Sequence, residues 1–266
     1  MDLAFDRSGT GEPLVLLHGL GSSRRAWNPV AGVLAERFDV LAIDLPGFGG
    51  SAPLPPSVEP TPARLAAAVG ELLDGLGITR PHVAGNSLGG WVAMELARTR
   101  AFASVTLLSP AGLWRGTTPR YTFVSLRTSR WLAVNASGLL HRLVRSSAGR
   151  VVVLGQTHGH PARLTPEYAH AAIDTLRSGA GFDATLRATA TRRLVAVEPV
   201  DAPVTVAFGS RDRILLRHQS RHLDQLPPDT RVEHLPGCGH VPMADDRTAV
   251  AALITRAATR ARVGAE

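Results

Sequence analysis

Three side chains along this chain have the types that activate a hydroxyl: Ser87, Asp212 and His240. Ser87 lies in Gly85-Asn86-Ser87-Leu88-Gly89-Gly90. A short run, Pro81-His82-Val83-Ala84, enters this stretch, and Trp91 to Ala97 leaves it with helix-forming residues. Strand, sharp turn and helix form the context in which Gly-x-Ser-x-Gly holds a nucleophile. The tip of such a turn has strained backbone angles, and the chain doubles back on itself. The residues two before and two after the tip must be small, and Gly85 and Gly89 are. The hydroxyl then projects at a helix N-terminus, where main-chain N–H groups and the dipole favour developing negative charge.

A serine needs a base, and the base needs an orienting acid. His240, in Gly237-Cys238-Gly239-His240-Val241-Pro242, directly follows the last predicted strand. A glycine-flanked loop ahead of a helix can aim its imidazole back across the sheet edge. Asp212, in Phe208-Gly209-Ser210-Arg211-Asp212-Arg213, follows the penultimate strand. Its bland roles are capping a helix or pairing with an arginine. The turn after Leu108 is Ser109-Pro110-Ala111-Gly112 and offers no carboxylate, which leaves Asp212 as the better acid. The turn His18-Gly19-Leu20-Gly21 closes the first buried strand. Its glycines let a main-chain N–H approach a ligand, so the N–H groups of Leu20 and Leu88 are the candidate oxyanion hole. His18 reads as a structural hydrogen-bonding residue.

The elements that must position these groups alternate. Buried strands are predicted at Leu14–Leu17, Val40–Ile43, before the Ser87 turn, at Val105–Leu108, Val204–Phe208 and Arg231–Leu235, with an edge strand over Asp2–Asp6 and a turn over Gly9–Pro13. Helical spacing runs from Arg24 to Phe38, with Ser22 or Ser23 as N-cap, over Leu65–Leu76, about Leu215–Leu226 and about Asp245–Arg262. The proline-rich stretch Ala52–Pro62 is a loop. The alternation predicts a mostly parallel sheet covered on both faces. It stops over residues 113–200, where apolar spacing around Tyr121–Val144 and Pro166–Leu176 predicts helices. The expected organisation is therefore a core of residues 1–112 and 201–266 interrupted by a helical cap, 113–200.

Bulk composition narrows the setting. The 266 residues fit one large α/β domain with an insertion. No apolar run approaches the ~20 residues of a membrane span. The N-terminus lacks a basic-then-apolar leader, and the single cysteine, Cys238, excludes an intramolecular disulfide. A soluble cytoplasmic protein is expected. The net charge is +7, and every basic residue is arginine. Residues 113–200 carry twelve arginines against Glu167, Asp174, Asp183 and Glu198, whereas the rest of the chain is close to neutral. No nucleic-acid-binding motif accompanies this charge, so no nucleic-acid partner is expected. His158-Gly159-His160 lacks a third ligand for a metal. Cys238 reads as a small packing residue.

Taken together, His18-Gly19-Leu20-Gly21, Asp44-Leu45-Pro46-Gly47-Phe48-Gly49-Gly50-Ser51, the Ser87 turn, Gly209-Ser210-Arg211-Asp212 and Gly239-His240 resemble the α/β-hydrolase superfamily over the whole chain except the cap. The order Ser, Asp, His is the one that superfamily uses. The resemblance implies a sheet of about seven to eight strands flanked by helices, with the outermost N-terminal strand missing or abbreviated here. It implies a Ser-His-Asp hydrolase that needs neither metal nor organic cofactor. Serine at position 87 argues against dehalogenases and epoxide hydrolases, which use aspartate there. It fits a carboxylesterase-like enzyme acting on a small to medium ester or related acyl substrate, with lactonases, thioesterases, C–C bond hydrolases and cofactor-free perhydrolases as alternatives. The Gly-Asn-Ser-x-Gly-Gly form is similar to the C–C bond hydrolases, whose longer glycine-rich loop is not evident at residues 18–23. Some proteins of this fold are instead ligand-binding receptors.

Substrate choice is expected to lie with the cap. Trp114, Phe123, Trp131, Leu139 and Leu140 are candidate pocket walls, or ordinary cap core, with Gly19 and Val241 beside the reacting groups. The arginine excess suggests an acidic substrate or an anionic interface.

Overall fold

Continuous apolar strands make sense only if both faces of a sheet are covered. Leu14 and Leu16 pack into one hydrophobic core, whereas Val15 and Leu17, one residue out of phase, pack into the other. A computed structural model describes residues 2–195 and 200–263, and shows how this is achieved. Seven strands among the described residues form one sheet in the order β1-β3-β2-β4-β5-β6-β7. They are β1 (Phe5–Ser8), β2 (Glu12–Leu17), β3 (Phe38–Ile43), β4 (His82–Asn86), β5 (Ser104–Leu108), β6 (Val204–Gly209) and β7 (Arg231–Leu235). Only β1 runs antiparallel to its neighbour.

Helices α1 (Asn28–Ala35), α2 (Pro62–Gly75) and α3 (Leu88–Ala97) follow β2, β3 and β4, and α9 (Arg247–Val263) follows β7. Leu65 and Val69 of α2 and Trp91 of α3 cover one face; Val30 and Leu34 of α1 and Val250 and Ile254 of α9 cover the other. Thr61 caps α2 by accepting from the Arg64 N–H at 3.3 Å. Between β5 and β6 lie α4 (Arg120–Asn135), α5 (Ser137–Leu143), α6 (Ser147–Leu154), α7 (Pro166–Ser178) and α8 (Phe182–Ala190). This insertion has a small core of its own, including Val144, Leu154, Ala169 and Ile173. The end of the expected cap, with Glu198, falls in residues 196–199, outside the described residues.

Several expectations need correction. The seven strands among the described residues agree with the expected seven to eight, but the antiparallel edge is Phe5–Ser8 rather than Asp2–Asp6. Glu12 and Pro13 belong to β2, because they continue its register against Phe38 and Asp39. The helix expected over 24–38 is a 3₁₀ turn, Arg24–Trp27, followed by α1, which carries Pro29 in its first turn. Ser23 precedes that turn without a side-chain cap bond. Helical spacing over 121–144 is divided at Ala136 into α4 and α5. The helix expected over 215–226 does not form. Its start is held by the Asp212 carboxylate, which takes the N–H groups of Ile214 and Leu215, and further on the His222 N–H donates to the distant Leu113 carbonyl.

Candidate active site

Ser87 stands at the junction of β4 and α3 with φ 55° and ψ −115°. Such a conformation costs a non-glycine residue of the order of 1–3 kcal/mol and persists only where the surroundings impose it. Here the Ser87 N–H donates to the Leu108 carbonyl at 3.0 Å, and the Ser87 carbonyl accepts from Gly90 and Ala111, both at 3.0 Å. A Cβ at Gly85 would run into the Gly89 carbonyl, and one at Gly89 into the Leu17 carbonyl. The Gly-x-Ser-x-Gly spacing is thus a packing requirement of this turn.

Asp212 and His240 come from the ends of β6 and β7, and they meet. Asp212 Oδ2 lies 2.8 Å from His240 Nδ1. The other carboxylate oxygen accepts from the N–H groups of Ile214 and Leu215, each at 2.9 Å. Burial alone would push the Asp212 carboxyl up, but the His240 imidazole and the two N–H donors outweigh it and hold the group below its ordinary value. An ionised carboxylate only accepts, so Nδ1 of His240 carries the proton and Nε2 presents a lone pair. Both side chains are almost fully buried.

The loop carrying His240 is fixed from two sides by residues not singled out from the sequence. Asn86, immediately before Ser87, donates from Nδ2 to the carbonyls of His240 (2.8 Å) and Leu108 (3.0 Å). This bond draws the imidazole's loop onto the serine turn. Asp245 accepts from the N–H groups of Gly239 (2.8 Å), Gly159 (2.8 Å) and His160 (2.9 Å), and the Val241 N–H donates to the Thr157 carbonyl at 2.9 Å. The insertion loop 157–160 therefore lies backbone against backbone on the histidine loop; a Cβ at Gly239 would come within 2.6 Å of Thr157 O. His158 has no ligand role. It is buried between Thr157 Oγ1 (2.8 Å) and Tyr168 Oη (3.0 Å), and burial lowers its pKa to about 4. No cluster able to hold a metal exists among the described residues. Cys238 is buried, which pushes its thiol up to about 12 and leaves it a packing residue.

The turn after β2 abuts Ser87: a Cβ added to Gly19 would lie 3.2 Å from Ser87 Cβ. Leu88 opens α3, so its N–H has no intrahelical acceptor. His18 is structural, as expected. Its Nδ1 lies 2.8 Å from the Gly19 carbonyl, and its Nε2 accepts from the Leu45 N–H at 3.0 Å. Burial keeps this ring neutral by lowering its pKa. The adjacent turn is braced by buried Asp44, which accepts from the N–H groups of Arg24 (2.6 Å) and Gly50 (2.8 Å) and pairs with the Arg24 guanidinium.

A narrow void of about 30 Å³ lies beside Ser87. Leu20, Leu88, Trp91 and Trp114 line it together with Thr122 and Leu126 of α4. Thr122 Oγ1 is engaged by the Ile214 carbonyl at 3.0 Å, so the wall is predominantly apolar. Two larger, open clefts are not lined by Ser87. Of the expected pocket residues only Trp114 lines the void. Phe123 packs partly buried against the main core, Leu140 against the core of the insertion and Val241 against the opposite face of the sheet. Trp131 and Leu139 face solvent. Thr122 and Leu126, one turn apart on α4, and Thr118 just before that helix line the void without having been singled out from the sequence.

Residues 14–253 match the family model described as the alpha/beta hydrolase family. The chain belongs to this family. Two relatives carry the likeness at sequence level. One is epoxide hydrolase EphH of Mycobacterium tuberculosis, 33% identical over 199 residues, covering 73% of this chain and 92% of that one. The other is the pimeloyl-acyl-carrier-protein methyl ester esterase of Aeromonas hydrophila, 29% identical over 261 residues, covering 91% and 93%. The same fold is seen in a thermophilic esterase from Thermogutta terrifontis, with a TM-score of 0.77 at 23% identity over 97% of this chain and 93% of that one. For this α/β-hydrolase, the likenesses support hydrolysis of a small molecule. Among its described residues no helix is long and apolar enough to cross a membrane.

Proposed function

We propose that this α/β-hydrolase cleaves a small to medium carboxylic ester through an acyl-enzyme on Ser87. The observation that carries this reading is the 2.8 Å contact of Asp212 with His240, in a loop that Asn86 ties to the serine turn. In the proposed cycle Ser87 Oγ attacks the acyl carbon while its proton passes to His240 Nε2. The carbonyl electron pair becomes an oxyanion held by the N–H groups of Leu20 and Leu88, each worth about 3–4 kcal/mol to the transition state. The C–O bond then breaks, and the alcohol leaves with the proton from His240. Water repeats the sequence on the acyl-enzyme and frees the acid. No step calls for a metal or organic cofactor.

The insertion acts in this reading as a cap, and the narrow void beside Ser87 widens to receive the apolar part of the substrate. Serine rather than aspartate at the turn separates this reading from epoxide hydrolysis. The test is a series of p-nitrophenyl acyl esters, with lactones and thioesters alongside. Wild type should turn over the esters and take up a fluorophosphonate on Ser87. Ser87→Ala should lose both while keeping its far-ultraviolet circular dichroism. Undiminished turnover in the purified variant would sink the assignment.

A further inference from the structure

Apolar side chains left in water are usually scattered singly; a concentration of them marks a contact surface. Eight of the twelve large apolar side chains exposed among the described residues lie on α4, α5 and α6, so the insertion bears the concentration. These successive helices pack each on the next. On α4 the buried Thr122 and Ala133 mark the inward face. Val124, Trp131 and Val134 fall together on the opposite face at i, i+7 and i+10. Val124 is 51% exposed and Trp131 60%; Leu139 of α5 reaches 59% and Val152 of α6 77%.

The charge carried by these helices themselves has one sign, the nearby carboxylate being Asp174 of α7 against His141. From Leu113 to Pro166 the chain contains no aspartate or glutamate and eight arginines. Arg120, Arg127, Arg142 and Arg145 are exposed. Among the described residues none of these four has an ion-pair partner. Tryptophan and aliphatic side chains interleaved with unpaired arginines suit the boundary between anionic headgroups and acyl chains: the rings and branched carbons enter, and the guanidinium groups meet phosphates. We propose that the α4–α6 face docks reversibly on an anionic lipid surface. The proposal does not depend on the chemistry at Ser87.

Trp131 makes the test specific. The other three tryptophans, Trp27, Trp91 and Trp114, are buried, so a shift in emission on docking reports Trp131. The probe is a unilamellar vesicle of phosphatidylglycerol and phosphatidylcholine in equal parts, with phosphatidylcholine alone as control, and the protein carries Ser87→Ala so that no lipid is consumed. Expected results are co-sedimentation with the anionic vesicles at least tenfold stronger than with the neutral ones, weakening with added salt, and a blue shift with protection from acrylamide. Val124→Glu with Trp131→Glu should cut partitioning at least tenfold, and in the Ser87 background should leave turnover of soluble substrates unchanged. Absence of vesicle binding, or binding indifferent to the double substitution, overturns the proposal. A dimer in sedimentation velocity that the same substitutions dissolve, without vesicle binding, would also overturn it and assign the face to a second copy of the chain.

Discussion

Asp212 Oδ2 sits 2.8 Å from His240 Nδ1, and the second oxygen of the same carboxylate is occupied by the Ile214 and Leu215 N–H groups. One oxygen orients the ring and the other is orientated itself. Asp212→Asn keeps the shape but can place an N–H against Nδ1, which favours the tautomer with its proton on Nε2. Ester turnover should fall by about three to four orders of magnitude, with KM little changed. Steady-state kinetics on a p-nitrophenyl ester checks this; near-normal kcat would mean that another acid serves.

Asn86 joins the serine turn to the carbonyl of His240. Asn86→Leu conserves volume and leaves two buried carbonyls, those of His240 and Leu108, without this donor. We expect a loss of about 1–3 kcal/mol in urea unfolding and a fall in kcat larger than any change in KM, because the imidazole loop loses its tether. Wild-type kcat in the folded variant would show that the tether is dispensable.

Burial makes His158 harder to protonate than an exposed histidine. Burial holds its folded-state pKa near 4, below the ordinary 6.5. As pH falls below 6.5 the unfolded chain takes up a proton that the folded chain refuses, so stability is full above 6.5 and declines until about pH 4. The loss between pH 7.5 and 4.5 should be about 2–3 kcal/mol from this residue. Asp212, with its lowered pKa, loses its contribution in the same direction at lower pH. Urea midpoints of wild type and His158→Gln at both pH values isolate the histidine: the variant's curve should be flatter, and parallel curves would refute the assignment.

Leu126 lines the void beside Ser87 from α4. Leu126→Ala lengthens that space by most of an isobutyl group. The ratio of kcat/KM for octanoyl over butyryl esters should rise about tenfold, since a methylene in an apolar pocket is worth about 1–3 kcal/mol. An unchanged ratio would place the acyl chain elsewhere.

The sheet and the meeting of Asp212 with His240 were legible because they depend on local pattern: buried runs for strands, and glycines with a polar residue at strand ends. What was hidden depends on distant partners. The run 215–226 has helical spacing, yet its backbone and side chains answer to Asp212, Leu113 and Trp114. Tertiary bonds of this kind override a weak propensity. The pocket wall was misplaced for a related reason. Trp131 was read as inward because it is large and aromatic, but the inward face of α4 is set by Thr122 and Ala133. The tethering by Asn86 and Asp245 was not legible, because their partners are main-chain groups that only the folded loops bring near.

Asp245 holds one N–H of the histidine loop and two of the insertion with a single carboxylate. Those segments consequently travel as one rigid piece. Lifting residues 157–160 would therefore pull on the loop that carries His240. A foreign insertion transplanted onto this scaffold should disturb the Asp212–His240 contact unless residues 157–160 go with their acidic clasp.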